Sequence, residues 1–140
     1  SDQHDVTSGL YPGIIRMYVN VEGGLTLEKY FAALKAGHAY VTMGPIFTPA
    51  QNTLFGSTQE VKAGDKHTLI TELQAVHGLA RVDVYHEGKI ISSKEFGKTT
   101  KPVTFTLDVQ PEKNTWYSFV AVDGKGRYAV TNPVWVNVKN

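Results

Sequence analysis

Asp2 and His4 are residues whose types and spacing could hold a metal ion. In an extended backbone alternate side chains point to the same side, so an Asp-x-His segment presents a carboxylate and an imidazole to one point. A hard oxygen beside a borderline nitrogen suits zinc, manganese or iron. An ion that activates water commonly needs at least three protein ligands, so the pair supplies only part of a site. The same residues also read as a solvated chain end, and spacing alone leaves both readings standing.

The remaining chemistry-bearing residues are scattered. His38, His67, His77 and His86 have no metal-ligand spacing and read as strand or surface histidines. No Gly-x-Ser-x-Gly elbow is present to activate a serine, and Gly124-Lys125-Gly126 is a hairpin turn, too short to cradle a phosphate. Tyr85, Trp116, Tyr117, Tyr128 and Trp135 have two readings, a platform for stacking sugars or anchors for packing. Alternation puts Tyr117 and Phe119 on one face of their strand and Trp116 and Ser118 on the other, so one of those faces is a candidate contact surface.

The composition, with 41% hydrophobic and 19% charged residues, 13 Gly and 6 Pro among 140, is that of a globular chain with many turns. Lys and Arg number 14 against 13 Asp and Glu, and they form no basic stripe, so nothing points to nucleic acid or an anionic membrane. The absence of Cys excludes disulfides, thiolate zinc sites and a cysteine nucleophile, but is compatible with cytoplasmic and exported locations alike. No apolar run reaches the ~20 residues that span a bilayer. The chain opens on a polar segment without Met, and is expected to be the C-terminal portion of a longer protein.

Three elements open the chain. Residues 14–21 alternate with β-branched enrichment and read as a strand ended by Gly23-Gly24. Leu27, Tyr30, Phe31 and Leu34 recur at helical spacing, with Thr26 as N-cap, Glu28 in the first turn, Lys35 in the last and Gly37 as terminator. Residues 39–43 form a second short strand stopped by Gly44-Pro45. Residues 46–52 turn to Pro, Thr, Gln and Asn, which places a boundary between an arm, residues 1–49, and a second unit, residues 50–140.

Beyond that boundary the spacing predicts strands over 67–76, 80–86, 89–92, 103–109, 116–122 and 128–138, the last interrupted at Asn132-Pro133. In the 103–109 run Val103, Phe105, Leu107 and Val109 alternate with Thr104, Thr106 and Asp108, implying one buried and one wet face. The expected class is mainly β: an antiparallel immunoglobulin-like β-sandwich preceded by a strand-helix-strand arm.

Ser1-Asp2-Gln3-His4, residues 30–45 (YFAALKAGHAYVTMGP) and residues 131–136 (TNPVWV) together resemble the PHP-type (polymerase and histidinol phosphatase) metallohydrolases. The resemblance is to the branch that includes carbamate-insecticide hydrolases. One position departs from it, since an Arg is usual where this chain has His38. The resemblance implies that the arm is the end of a PHP-type barrel, with Asp2 and His4 as ligands of a divalent zinc, manganese or iron ion. The sandwich would be an accessory domain whose partner is the upstream barrel of the same protein, with self-association also open. In this reading the chain alone lacks enough of the site for catalysis and requires no metal of its own. It leaves the substrate among phosphoester, carbamate or related bonds. The alternative is a non-catalytic module recognising glycan or protein.

Overall fold

The computed structural model describes residues 13–139. Eleven strands and one α-helix follow in order: β1 (Arg16–Val19), α1 (Leu27–Lys35), β2 (Ala39–Thr42), β3 (Ile46–Pro49), β4 (Thr58–Lys62), β5 (His67–Gln74), β6 (Leu79–His86), β7 (Lys89–Thr99), β8 (Val103–Val109), β9 (Thr115–Asp123), β10 (Tyr128–Thr131) and β11 (Val134–Lys139). A 3-10 turn, Gln51–Thr53, separates β3 from β4.

The helix forms as its sequence dictates. Thr26 is extended and its side chain accepts from the Lys29 backbone N–H, Glu28 and Lys35 complement the helix ends, and Gly37 turns the chain out at φ +77°. In β8 the alternation holds, with Phe105 and Val109 buried and Val103 and Leu107 packed against the core. At Glu87 and Gly88 both residues take positive φ, the geometry that closes a tight hairpin between β6 and β7.

Two sheets enclose the core. A three-stranded antiparallel sheet has the order β3-β5-β8. Facing it, an eight-stranded sheet is centred on β9, which pairs with β6 along one edge and with both β10 and β11 along the other. The positions of β3, β5 and β8 correspond to strands A, B and E of the immunoglobulin arrangement, and β6, β9 and β10–β11 to C, F and G. The chain is therefore mainly β, an immunoglobulin-like β-sandwich. Asn132-Pro133 breaks the last strand, and the two halves acquire different outer neighbours: β2 lies antiparallel to β10, whereas β4 lies parallel to β11.

Here the structure departs from the expected division at residue 49. Instead of standing apart as an arm, β1 and β2 extend the large sheet beyond β10, and residues 46–49, within the stretch where the boundary was expected, are a strand paired with β5. Among the described residues one core spans both sides of that division. Tyr40 of β2 and Phe47 of β3 pack edge-to-face at 5.6 Å, both meet Phe55, and Phe47 and Phe55 meet Phe119 of β9. The Tyr40 hydroxyl accepts from the Phe47 backbone N–H at 3.1 Å, and burial pushes its pKa up to about 12 despite that bond. Two further strand bounds also differ: β7 runs to Thr99 rather than 92, and the polar segment Thr58–Lys62 is a strand that pattern alone did not reveal.

Asp123 clips the β9–β10 hairpin. Its carboxylate accepts from the Arg127 guanidinium at 2.7 and 2.9 Å and from the backbone N–H groups of Lys125 and Arg127. Burial acts to raise its pKa, but these hydrogen bonds prevail and hold the carboxyl below its usual range.

Two outcomes are expected. A chain lacking residues 1–49 loses β1 to β3 with Tyr40 and Phe47, and should lose its cooperative thermal transition by circular dichroism. Because the Asp123 pKa is depressed in the folded state, its contribution to stability is full above the unfolded carboxylate value of about 3.9 and is lost as pH falls through the lower folded value. Urea midpoints of the parent chain and Asp123→Asn, well separated at neutral pH, should converge on acidification below about pH 4.

Candidate functional site

The expected metal ligands Asp2 and His4 lie outside the described residues. Within the described residues no group of three or more His, Asp or Glu side chains is placed to hold a metal ion. The other histidines lie apart. His38 joins α1 to β2 and lines the groove beside the helix, while His77 is exposed in the β5–β6 turn. His86 stacks on Tyr117 at 5.1 Å and its Nε2 lies 2.6 Å from the Thr115 hydroxyl. His67 opens β5 with a buried Nε2 that has no hydrogen-bond partner among the described residues, and burial lowers its pKa.

The registers bring together a different set of residues. In β9 Tyr117, Phe119 and Ala121 face the core, so Trp116, Ser118, Val120 and Val122 face outward. Val120 sits opposite Val130 of β10, Val130 opposite Val41 of β2, and Val41 opposite Met17 of β1. An uninterrupted apolar row thus crosses four strands on the outer face of the large sheet. Val122 lies opposite Tyr128 on one side of the row; on the other, Ser118 intervenes before Trp116, which lies opposite Trp135. Met17, Val41, Tyr128 and Trp135 are 43–50% exposed, so this face is uncovered apolar surface. A shallow depression of about 160 Å³ lies over Met17, Val41 and Val130.

The row ends on a fixed polar pair. Asp83 of β6 lies opposite Val120, and although it points outward it is buried. Its carboxylate accepts from Arg81 Nε at 2.9 Å and from the Ser93 hydroxyl at 2.6 Å. Arg81 itself is 44% exposed and lies opposite Glu95, so the β6–β7 end of the face is polar while the β1–β9 part carries no charge in these positions. The candidate contact face that sequence alternation found in β9 is thereby placed, but its extension through β10, β2 and β1 required the pairing order.

A second uncovered surface belongs to α1. No residue of the helix is buried, and Leu27 and Phe31, one turn apart, are 67% and 51% exposed. Of the expected apolar face, Leu27 and Phe31 have no covering partner among the described residues, while Tyr30 and Leu34 are half-buried. Between the helix and the β3 side of the sandwich runs an open groove of about 740 Å³, lined by Ala32, Ala33, Ala36, Pro49 and Leu54 among others. The joint is made by backbone: a Cβ on Gly56 would lie 2.3 Å from the Gly37 carbonyl, and the Asn132 side-chain amide donates to that same carbonyl. What the described residues build is a β-sandwich that carries two exposed apolar surfaces.

Removing the buried acceptor at Asp83 should cost about 0.5–1.5 kcal/mol, because the hydrogen bonds from the exposed Ser93 hydroxyl and from Arg81 are lost but both donors return to water. Urea denaturation of Asp83→Ala is the measurement, and an unchanged midpoint would show that the pair contributes nothing to the fold.

No protein-family model matches the chain, and no curated protein does. Among solved structures, the immunoglobulin-like domain of mouse leukocyte-associated immunoglobulin-like receptor 1, a strand-swapped dimer, aligns at 14% identity over 59% of this chain and 88% of that one, with a TM-score of 0.46. The fibronectin(III)-like modules of Clostridium thermocellum CbhA align at 22% identity over 59% and 88%, with a TM-score of 0.41. The titin M4 domain aligns at 19% identity over 69% and 96%, with a TM-score of 0.45.

Proposed function

We propose that the chain is the C-terminal accessory portion of a metal-dependent hydrolase of PHP type, in which the sandwich is a docking module for the catalytic barrel. The observation that carries this reading is α1, a well-capped helix with an apolar face and no buried residue. A nine-residue helix has little stability of its own in water, since isolated helices shorter than ~12–15 residues are marginal. Leu27, Phe31 and the Ala-lined groove beside them are accounted for if a neighbouring barrel covers them.

In this reading Asp2 and His4 reach back to the barrel and complete its metal site. Their donors, one carboxylate and one imidazole, suit zinc, manganese or iron, and the bound ion would activate water for attack on a phosphoester, carbamate or related bond. The remaining ligands come from the barrel, because two donors cannot both hold an ion and fix its open position. Tyr40 and Phe47 anchor β2 and β3 in the shared core of the sandwich.

The test uses the longer protein beside the 140-residue chain. The chain alone, supplied with manganese or zinc, should not turn over phosphoester or carbamate substrates. In the longer protein His4→Ala should lose bound metal and lower turnover by at least a hundredfold, while the sandwich keeps its thermal transition. Normal metal content and turnover in that variant would overturn the hydrolase reading and leave a binding module.

A further inference from the structure

We propose that the open side of the sandwich, between β1 and β3, is a binding pocket for a small aromatic molecule, a single ring that carries an oxygen acceptor. The proposal stands on the lining of this pocket and is independent of the hydrolase reading. β1 is the edge of the large sheet and β3 the edge of the small one. Between them a pocket of about 240 Å³ is lined by Tyr18 and Val19 of β1, Tyr40 of β2, Phe47 of β3 and, beyond them, Phe55. An apolar cavity of ~150 Å³ is enough to take up benzene, so this space admits one substituted ring. It is too small for a helix or strand of another protein.

The walls select an aromatic guest. Tyr18 stacks on Tyr40 at 5.3 Å, and Tyr40, Phe47 and Phe55 meet one another edge to face at 5.5, 5.6 and 6.1 Å. A guest ring extends that array in the same geometry, a gain beyond area burial that an aliphatic guest of equal volume does not make. The Tyr40 hydroxyl selects the polar atom. Its side chain is 6% exposed and its oxygen accepts from the Phe47 backbone N–H, but its own proton has no acceptor among the described residues. Burial keeps that phenol protonated well above neutral pH, so it remains a donor. Buried donors are seldom left without an acceptor, and an oxygen on the guest supplies one. Asn20, His38 and Thr48 complete the lining, giving an apolar pocket with a few polar groups, the usual make-up of a small-ligand site.

Benzamide, a ring with a carbonyl oxygen, and toluene, a ring without one, are the probes, titrated into the nitrogen-labelled 140-residue chain and followed by amide NMR. With benzamide the amide signals of Val19, Phe47, Thr48 and Phe55 should shift together and saturate, with a Kd in the millimolar range expected of so small a ligand. Tyr40→Phe keeps the ring and removes the donor, so it should weaken benzamide about fivefold and leave toluene within about twofold. Tyr18→Ala removes a wall and should weaken both probes about fivefold or more. Because Tyr18 is 38% exposed on an edge strand, that variant should keep its thermal transition. The absence of saturable shifts with benzamide up to about 20 mM would overturn the proposal. So would shifts centred on Met17, Val41 and Tyr128 of the outer sheet face, or benzamide binding indifferent to both Tyr40→Phe and Tyr18→Ala.

Discussion

A run of aromatic rings holds the two sheets to each other and to the N-terminal elements. Tyr18 stacks on Tyr40, Tyr40 meets Phe47 and Phe55 edge-on, and these reach Phe119, which in turn meets Phe105 on the opposite sheet. Each such pair contributes about 0.5–1.5 kcal/mol beyond the burial of its area. The rings come from β1, β2, β3, the segment before β4, β8 and β9, so no sub-part of the sandwich closes its core without the others. The oxygen of the Tyr40 hydroxyl accepts from the Phe47 backbone, so a polar atom sits in that centre with its lone pair engaged.

Much of this is legible in the sequence. Local chemistry sets the helix: its cap, its end charges and its terminating glycine all act within one turn. The period-two patterns of β8 and β9 were equally clear, because strong alternation survives wherever one face is buried and the other wet. Residues 39–49 were harder. Tyr40 and Phe47 look like the apolar positions of an independent arm, and only long-range pairing with β10 and β5 shows that they belong to the shared core. Pattern also cannot distinguish an apolar residue facing a core from one facing water, so Met17 and Val41 read as ordinary strand residues although they are outward. Thr58–Lys62 was missed because a polar segment becomes a strand here through backbone pairing with β11, with only Val61 reaching the core.

The two buried carboxylates show how polar groups fix geometry without occupying a catalytic cleft. Asp123 draws two backbone N–H groups and a guanidinium into one turn, defining where β10 begins. Asp83 ties β6 to β7 through Ser93 and orients Arg81 along the sheet surface. In each case the ion is held by hydrogen bonds rather than by a bare opposite charge, the condition under which burial of a charge is tolerated.

The parallel pairing of β4 with β11 has a mechanical meaning. Five consecutive residue pairs, from Trp135 and Thr58 to Lys139 and Lys62, lie side by side along the last strand. A pull on the C-terminal end along the strand axis loads that ladder in shear, so its hydrogen bonds bear the force together. A hairpin such as β6–β7, drawn apart from its open end, surrenders its bonds one after another. Force applied there is shared across the five-pair ladder with β4 and passes to β9 through its pairing with the same strand.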